Sequence, residues 1–252
     1  MMEVNEHLRH IDAQAALLVA AANHHGPDAS IPTCPGWAMR DLVHHLGGVH
    51  RWAAGRITSP DLEPASNDLE EFSGGWPTDE SLIDWFNAGA AGIVNAIREA
   101  PLDLKAMTFI PSSSPRQFWA RRQAMEISIH RADAESAGGT FTAFETELAL
   151  DGIDELVNGF ATRPMKRYRS ETAHSMHLVP TDAHMNWLVS MGPDGITTAV
   201  NPEPRITADV TVSASASDLF LFVWNRLETT DVRVEGDPAA FELWSRLSRV
   251  GW

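Results

Sequence analysis

The chain has 252 residues, of which 44% are hydrophobic and 21% charged, a composition typical of a globular protein whose core needs no disulfide staple. Its formal net charge of −15 argues against a nucleic-acid partner or an anionic membrane surface, both of which call for clustered lysine and arginine. The single cysteine, Cys34, excludes an internal disulfide and fits a reducing cytoplasm, and we expect neither a signal peptide nor a membrane span.

The first two thirds of the chain are predicted to be helical. Apolar residues recur at steps of three and four over residues 3–24, 38–55 and 79–100, which predicts three amphipathic helices. A central helix is predicted over 116–138, where Gly138-Gly139 ends it, and a further long helix over 145–162. Four long helices with one long and two shorter connections favour an antiparallel four-helix bundle.

Two loops interrupt this helical region. Residues 59–77 are rich in proline, serine, asparagine and acidic residues, so we expect a mobile surface segment. Residues 102–115 are predicted to be irregular and to end in the turn Ser112–Pro115. Substrate specificity is expected to depend on these two loops and on the cleft between domains.

The last third of the chain changes to a period of two. Gly192–Gly195 is predicted to form a hairpin turn between two of the strands. The predicted strands are Met176–Val179, Met185–Met191, Ile196–Val200, Ile206–Val212 and Val232–Glu235, and the predicted helices are 215–227 and 239–250. We therefore predict a helical domain over residues 1–165 and a small α+β domain over residues 171–252.

One constellation of side chains stands out. Glu126 and His130 are four residues apart on the central helix and share a face, and His45 is predicted to lie on the inward face of the second helix, whereas His44 points away and His50 lies to the side. Two imidazoles and one carboxylate from facing helices describe a divalent-cation site with an open position. The alternatives are a surface Glu–His contact and a histidine whose polar atoms are satisfied in the core.

Three segments resemble the mycothiol-dependent maleylpyruvate isomerase family, part of the DinB-like metalloenzyme group. Thr33–Trp52 resembles the N-terminal signature and Phe118–Glu135 the second signature. Ser217–Leu227, followed by Val232–Pro238, resembles the C-terminal domain, which is similar to sterol-carrier-protein folds. The resemblance implies a DinB-like metal-binding bundle followed by a sterol-carrier-protein-like α+β domain.

The resemblance also implies a chemistry. It assigns His45, Glu126 and His130 as metal ligands and zinc as the metal, although the ligand types would also accept nickel, cobalt or iron. It implies mycothiol, a thiol of actinobacteria, as cofactor. A thiolate would then add to the double bond of a maleylpyruvate-like substrate in cis–trans isomerisation, or displace a leaving group in S-transfer.

Four further residues are candidates for supporting roles. Arg226 matches an arginine common in the C-terminal domain of the family and is predicted to bind an anionic substrate, with Arg122 as a second catalytic candidate. Asp133 follows His130 by three residues and could orient that histidine. Cys34 lies in a turn motif, and we do not expect it to be the nucleophile.

Alternatives to this enzyme remain open at the level of sequence. The cofactor could be bacillithiol or glutathione, and the reaction could be a detoxifying S-transfer. A protein from another class, a non-enzymatic binder of metal or of an apolar ligand, could share the fold. In each case we expect a small-molecule partner, no nucleic acid, no membrane, and a monomer or weak homodimer.

Overall fold

The computed structural model describes residues 2–60, 68–112, 114–202 and 207–249, and its contacts divide the chain into two compact units. Unit 1 is Met1–Thr142 and unit 2 is Ala143–Trp252. A helical region is followed by a small mixed-sheet domain, which confirms the predicted fold class. None of the helices in the described ranges combines the length and hydropathy that a bilayer span requires.

Unit 1 is a bundle of four long helices with one short helix beside it. The helices are α1 (Val4–His25), α2 (Met39–Thr58), α3 (Leu69–Phe72), α4 (Leu82–Glu99) and α5 (Pro115–Ser136). Helix α1 packs against α4 and α5, and α2 packs against the same two partners. Helix α5 is central, and most of its residues are buried although its sequence is rich in polar side chains.

The loop between α2 and α4 contains a short helix near its end, where the sequence predicts only a loop. Leu69 and Phe72 of α3 pack beside Gly48 and Gly55 of α2, so apolar contact stabilises a helix of only four residues. Residues 61–67 of this predicted loop lie outside the described residues. So do three single positions of other predicted elements, Ser113, Ile206 and Val250.

Unit 2 combines a five-stranded mixed sheet with three helices. The strands are β1 (His174–Pro180), β2 (Trp187–Gly192), β3 (Gly195–Val200), β4 (Val210–Ala214) and β5 (Arg233–Gly236). Their order is β3-β2-β1-β4-β5, with β1 parallel to β4 and the other pairs antiparallel. The helices are α6 (Thr146–Asp154), α7 (Ala216–Val223) and α8 (Pro238–Leu247).

The division between the units lies earlier in the chain than the predicted boundary between residues 165 and 171. The helix predicted over 145–162 is found as α6 followed by a π-helical turn, Glu155–Phe160, and it belongs to unit 2. The reason is its packing. Gly152 of α6 lies against the ring of Phe220 on α7, and the indole of Trp187 on β2 donates a hydrogen bond to Asp154.

Candidate metal centre

Helices α2 and α5 carry the three predicted ligands. Helix α5 begins at Pro115, and the Ser114 hydroxyl caps it by accepting a hydrogen bond from the backbone N–H of Gln117. Helix α2 approaches α4 closely at Gly47, where a β-carbon would lie 2.1 Å from the ring of Trp85. The absence of a side chain at Gly47 therefore allows Trp85 to pack directly on the backbone of α2.

The donor atoms of His45, Glu126 and His130 lie within 4.8 Å of one another. The Nε2 atom of His45 is 3.6 Å from Glu126 Oε1, and the Nε2 atom of His130 is 3.4 Å from the same oxygen. The two imidazole rings meet edge to face, with centroids 5.0 Å apart. One carboxylate oxygen thus faces both histidines.

These distances match what a cation needs. Metal–ligand bonds of about 2.1 Å in a tetrahedron place neighbouring donors about 3.4 Å apart. The two measured N···O distances, 3.4 and 3.6 Å, correspond to edges of such a tetrahedron. Neutral imidazole and carboxylate ligands suit zinc and several other divalent transition metals. The three side chains therefore fit the metal that the sequence resemblance implies.

Glu126 is held from its other side by Arg122. The guanidinium donates a hydrogen bond from Nη2 to Glu126 Oε2 at 2.9 Å, one helical turn away. Burial would raise the pKa of Glu126, but the facing imidazoles of His130 and His45 and the charge of Arg122 outweigh it and hold the pKa well below its ordinary value. The carboxylate is therefore ionised at neutral pH, the form that binds a cation.

His130 is oriented by Asp133, as the three-residue spacing predicts. Its Nδ1 lies 2.9 Å from Asp133 Oδ2, and both side chains are fully buried. Asp133 also accepts a hydrogen bond at 2.6 Å from the hydroxyl of Thr33. Burial would lower the pKa of His130, but Asp133 and Glu126 outweigh it and raise that pKa. With Nδ1 bonded to Asp133, Nε2 is the nitrogen that faces Glu126.

The turn between α1 and α2 supplies two residues that the sequence reasoning did not place in the site, Thr33 and Trp37. The Trp37 ring is nearly parallel to the His130 ring, with centroids 6.4 Å apart, and its centroid is 5.1 Å from that of His45. Both belong to the turn motif that contains Cys34, at the start of the N-terminal signature segment. The available signal was the position of this motif in that signature, directly before the helix that carries His45.

A second group of donor atoms, from Cys34, His130 and Asp133, also lies within 4.8 Å, and all three residues are buried. His130 and Asp133 of this group are already joined by their 2.9 Å contact through Nδ1. The group that uses His130 Nε2 leaves that contact intact. We therefore regard His45, Glu126 and His130 as the candidate centre.

The neighbouring histidines of α2 differ from the prediction at one position. His44 points away from the centre, as predicted, and stacks on Trp76 with centroids 5.0 Å apart. His50 was predicted to lie to the side, but it is fully buried, and its Nδ1 is 2.8 Å from the amide oxygen of Gln123 on α5. Burial lowers the pKa of His50 to about 4, so it is neutral at pH 7.

Arg226 belongs to unit 2, just after α7. Its side chain is 5% exposed, and its guanidinium donates a hydrogen bond at 2.7 Å to the backbone oxygen of Trp224. The role of Arg226 towards an anionic substrate stays a prediction.

Comparisons with known proteins agree with the resemblance. A sequence model of the mycothiol maleylpyruvate isomerase N-terminal domain matches residues 8–135, and a model of the MDMPI C-terminal domain matches residues 147–243. Two proteins from different strains of Mycobacterium tuberculosis, both described as uncharacterized, are 31% identical to this chain over 153 residues, which cover 58% of it and 73% of each relative.

Solved structures show the same fold. Crystal structures of mycothiol-dependent maleylpyruvate isomerase and of a histidine-to-alanine mutant of that enzyme match with a TM-score of 0.65. Their identities are 12% and 13%, and the match covers 93% of both chains. Identity at this level shows the fold alone. The N-terminal sequence model, however, covers more than half of the chain, and the chain therefore belongs to the mycothiol maleylpyruvate isomerase family.

Proposed function

We propose that this protein is a metal-dependent enzyme that uses mycothiol as its thiol cofactor, either to isomerise a maleylpyruvate-like double bond or to transfer the thiol to an electrophile. The observation that carries the proposal is the convergence of His45 Nε2, Glu126 Oε1 and His130 Nε2 at distances suited to one cation. Family membership supports mycothiol as the thiol. A cytoplasmic location is part of the proposal, since a reducing compartment keeps such a thiol reduced.

A bound divalent cation, such as zinc, would lower the pKa of a thiol bound to it, so that the thiolate form is present at neutral pH. Other side chains of the protein hold the proposed metal ligands in position. Asp133 keeps Nε2 of His130 turned towards Glu126, and Arg122 fixes the second carboxylate oxygen of Glu126. Trp37 lies beside both imidazole rings.

The two reactions differ in the fate of the thiol. In isomerisation, sulfur adds to one carbon of the double bond, the resulting single bond rotates, and elimination returns both the trans product and the thiol. In S-transfer, the sulfur stays on the acceptor and the leaving group departs. Arg226 is proposed to bind a carboxylate of the substrate during either reaction.

Metal analysis tests the centre directly. We expect near-stoichiometric metal in the purified protein, loss of metal in His45→Ala and in Glu126→Gln, and retention in His44→Ala. The last variant is a matched control, because His44 is adjacent in sequence and stacks on Trp76 instead. If the wild-type protein is purified without metal and also fails to bind added zinc, the proposed centre is ruled out.

Activity measurements then test the thiol. The metal-loaded protein is incubated with mycothiol and maleylpyruvate, and product and free thiol are both measured. Turnover without loss of thiol indicates isomerisation, and loss of one thiol per turnover indicates transfer. Turnover that is equally fast without thiol would contradict the proposed role of the cofactor.

A further inference from the structure

A cavity of about 380 Å³ lies beside the candidate metal centre in unit 1. Glu126 and Arg122 form part of its wall, together with Gln123. The other five lining residues are apolar: the aliphatic Val49 and Leu69, and the aromatic Trp52, Phe109 and Trp119. The volume falls within the range of roughly 300–1,000 Å³ that small-molecule sites occupy.

The aromatic wall is held by contacts among its own rings. The centroids of Trp52 and Trp119 are 5.6 Å apart at an interplanar angle of 69°, and those of Phe109 and Trp119 are 6.1 Å apart at 84°. Edge-to-face contacts of this kind fix the positions of the rings. Trp119 is fully buried, so the wall rests on the core of the bundle.

The charged side chains of the cavity wall are paired with each other. Among the described residues, its charged lining side chains are Arg122 and Glu126, which are paired at 2.9 Å. The undescribed positions of unit 1 are Met1, residues 61–67 and Ser113, and none of them is a lysine or arginine. The two positive charges of a divalent cation and the one of Arg122, set against one negative charge each on Glu126 and a bound thiolate, leave one net positive charge, which balances one substrate carboxylate. A second carboxylate would be buried without a matching cation among the described lining residues of unit 1. The lining in unit 1 therefore suits a neutral or singly charged molecule.

We propose that this cavity receives the electrophile, and that the acceptor is an apolar aromatic molecule with at most one negative charge rather than a small dianion. This assignment rests on the proposed function, because the metal centre must deliver the thiol. With an aryl chloride as acceptor, a sulfur–carbon bond forms and the carbon–chlorine bond breaks. Chloride leaves with the bonding electron pair, and the proton of the thiol passes to solvent.

Calorimetric titration of the metal-loaded protein without thiol tests the cavity. The probes are 1-naphthol, which is neutral and aromatic, and maleate, which is a dianion. Maleate can also bind the cation directly, so the comparison is biased in favour of maleate. We expect 1-naphthol to bind at least tenfold more tightly than maleate. Val49→Phe fills the cavity and should weaken 1-naphthol at least tenfold, whereas Val234→Phe, a matched change on strand β5, should not. Leu69→Phe repeats the test if Val49→Phe does not fold.

The outcomes separate this assignment from the proposed function. If maleate binds as tightly as 1-naphthol, or if the filled variants bind 1-naphthol as well as the wild type does, the acceptor assignment is overturned. Thiol-dependent turnover of maleylpyruvate would in that case still support the proposed function. If 1-naphthol binds as expected and mycothiol is consumed with 1-chloro-2,4-dinitrobenzene, the assignment is supported. Binding without any thiol-dependent reaction supports the cavity as an aromatic site and overturns its role as the electrophile site.

Discussion

The contact between His130 and Asp133 makes the affinity for metal depend on a residue that is not itself a ligand. Asp133 Oδ2 lies 2.9 Å from His130 Nδ1, and its other oxygen accepts a hydrogen bond from Thr33 at 2.6 Å. Asp133→Asn keeps the shape but removes the charge. A hydrogen bond to a charged group contributes about 1.5–3 kcal/mol and a neutral one about 0.5–1.5 kcal/mol. The midpoints of these ranges differ by about 1.25 kcal/mol, which corresponds to about an eightfold loss in affinity, just below the roughly 10–100-fold effects known for such residues.

Competition with a chromophoric zinc chelator measures this loss. Because Asp133 raises the pKa of His130, the titration is done at about pH 7 and about pH 8.5, which separates lost orientation from altered competition by protons. Thr33→Val removes one hydrogen bond to Asp133 but keeps its charge, so we expect a smaller loss. An Asp133→Asn protein that binds zinc within twofold of the wild type at both pH values would refute the reasoning.

Three further predictions concern stability. The pKa of His50 is about 4 in the folded protein and about 6.5 when unfolded. Its contribution to the free energy of unfolding, up to about 3 kcal/mol, is therefore present above pH 6.5 and is lost as the pH falls towards 4. His50→Gln should flatten this part of the pH profile measured by urea unfolding. Gly47→Ala should cost about 1–3 kcal/mol in urea unfolding because Trp85 must move, whereas Gly92→Ala, where the added carbon meets no atom within 4 Å, should be neutral or stabilising. Arg122→Gln should destabilise the metal-free protein by about 1.5–3 kcal/mol, because Glu126 loses a charged hydrogen-bond donor and is left with its imidazole neighbours, and added zinc should restore part of the loss in thermal unfolding.

The long helices were predictable from sequence, because an apolar stripe with a helical period needs no knowledge of its partner. Helix α1 was predicted over residues 3–24 and is found at Val4–His25, and the central helix lies within two residues of its predicted ends. Helix α3, Leu69–Phe72, is too short to show a period. Its packing against glycines of α2 stabilises it, and such a contact between distant residues cannot be read from a local pattern.

The candidate site was predictable only in part for the same reason. Glu126 and His130 share a face because they are four residues apart on one helix. The 3.4 Å distance between His130 Nε2 and Glu126 Oε1 follows from that spacing. The hydrogen bond from Thr33 to Asp133 joins residues one hundred positions apart. No periodicity indicates such a contact. The resemblance to the family contained Thr33 in its signature, but a signature does not state what each of its residues touches.

His50 shows why a single inward face was too simple a description of α2. Successive residues of a helix are about 100° apart, so five residues separate His45 and His50 by about 140°. A helix with one partner would expose one of the two. Helix α2 packs against both α4 and α5, and the ring of His50 lies between Phe86 of α4, at 6.0 Å, and Gln123 of α5. A bundle helix with two partners buries a wide arc of its surface. Position on the helix alone therefore could not distinguish His45, a candidate ligand, from His50, whose Nδ1 pairs with Gln123 in the core.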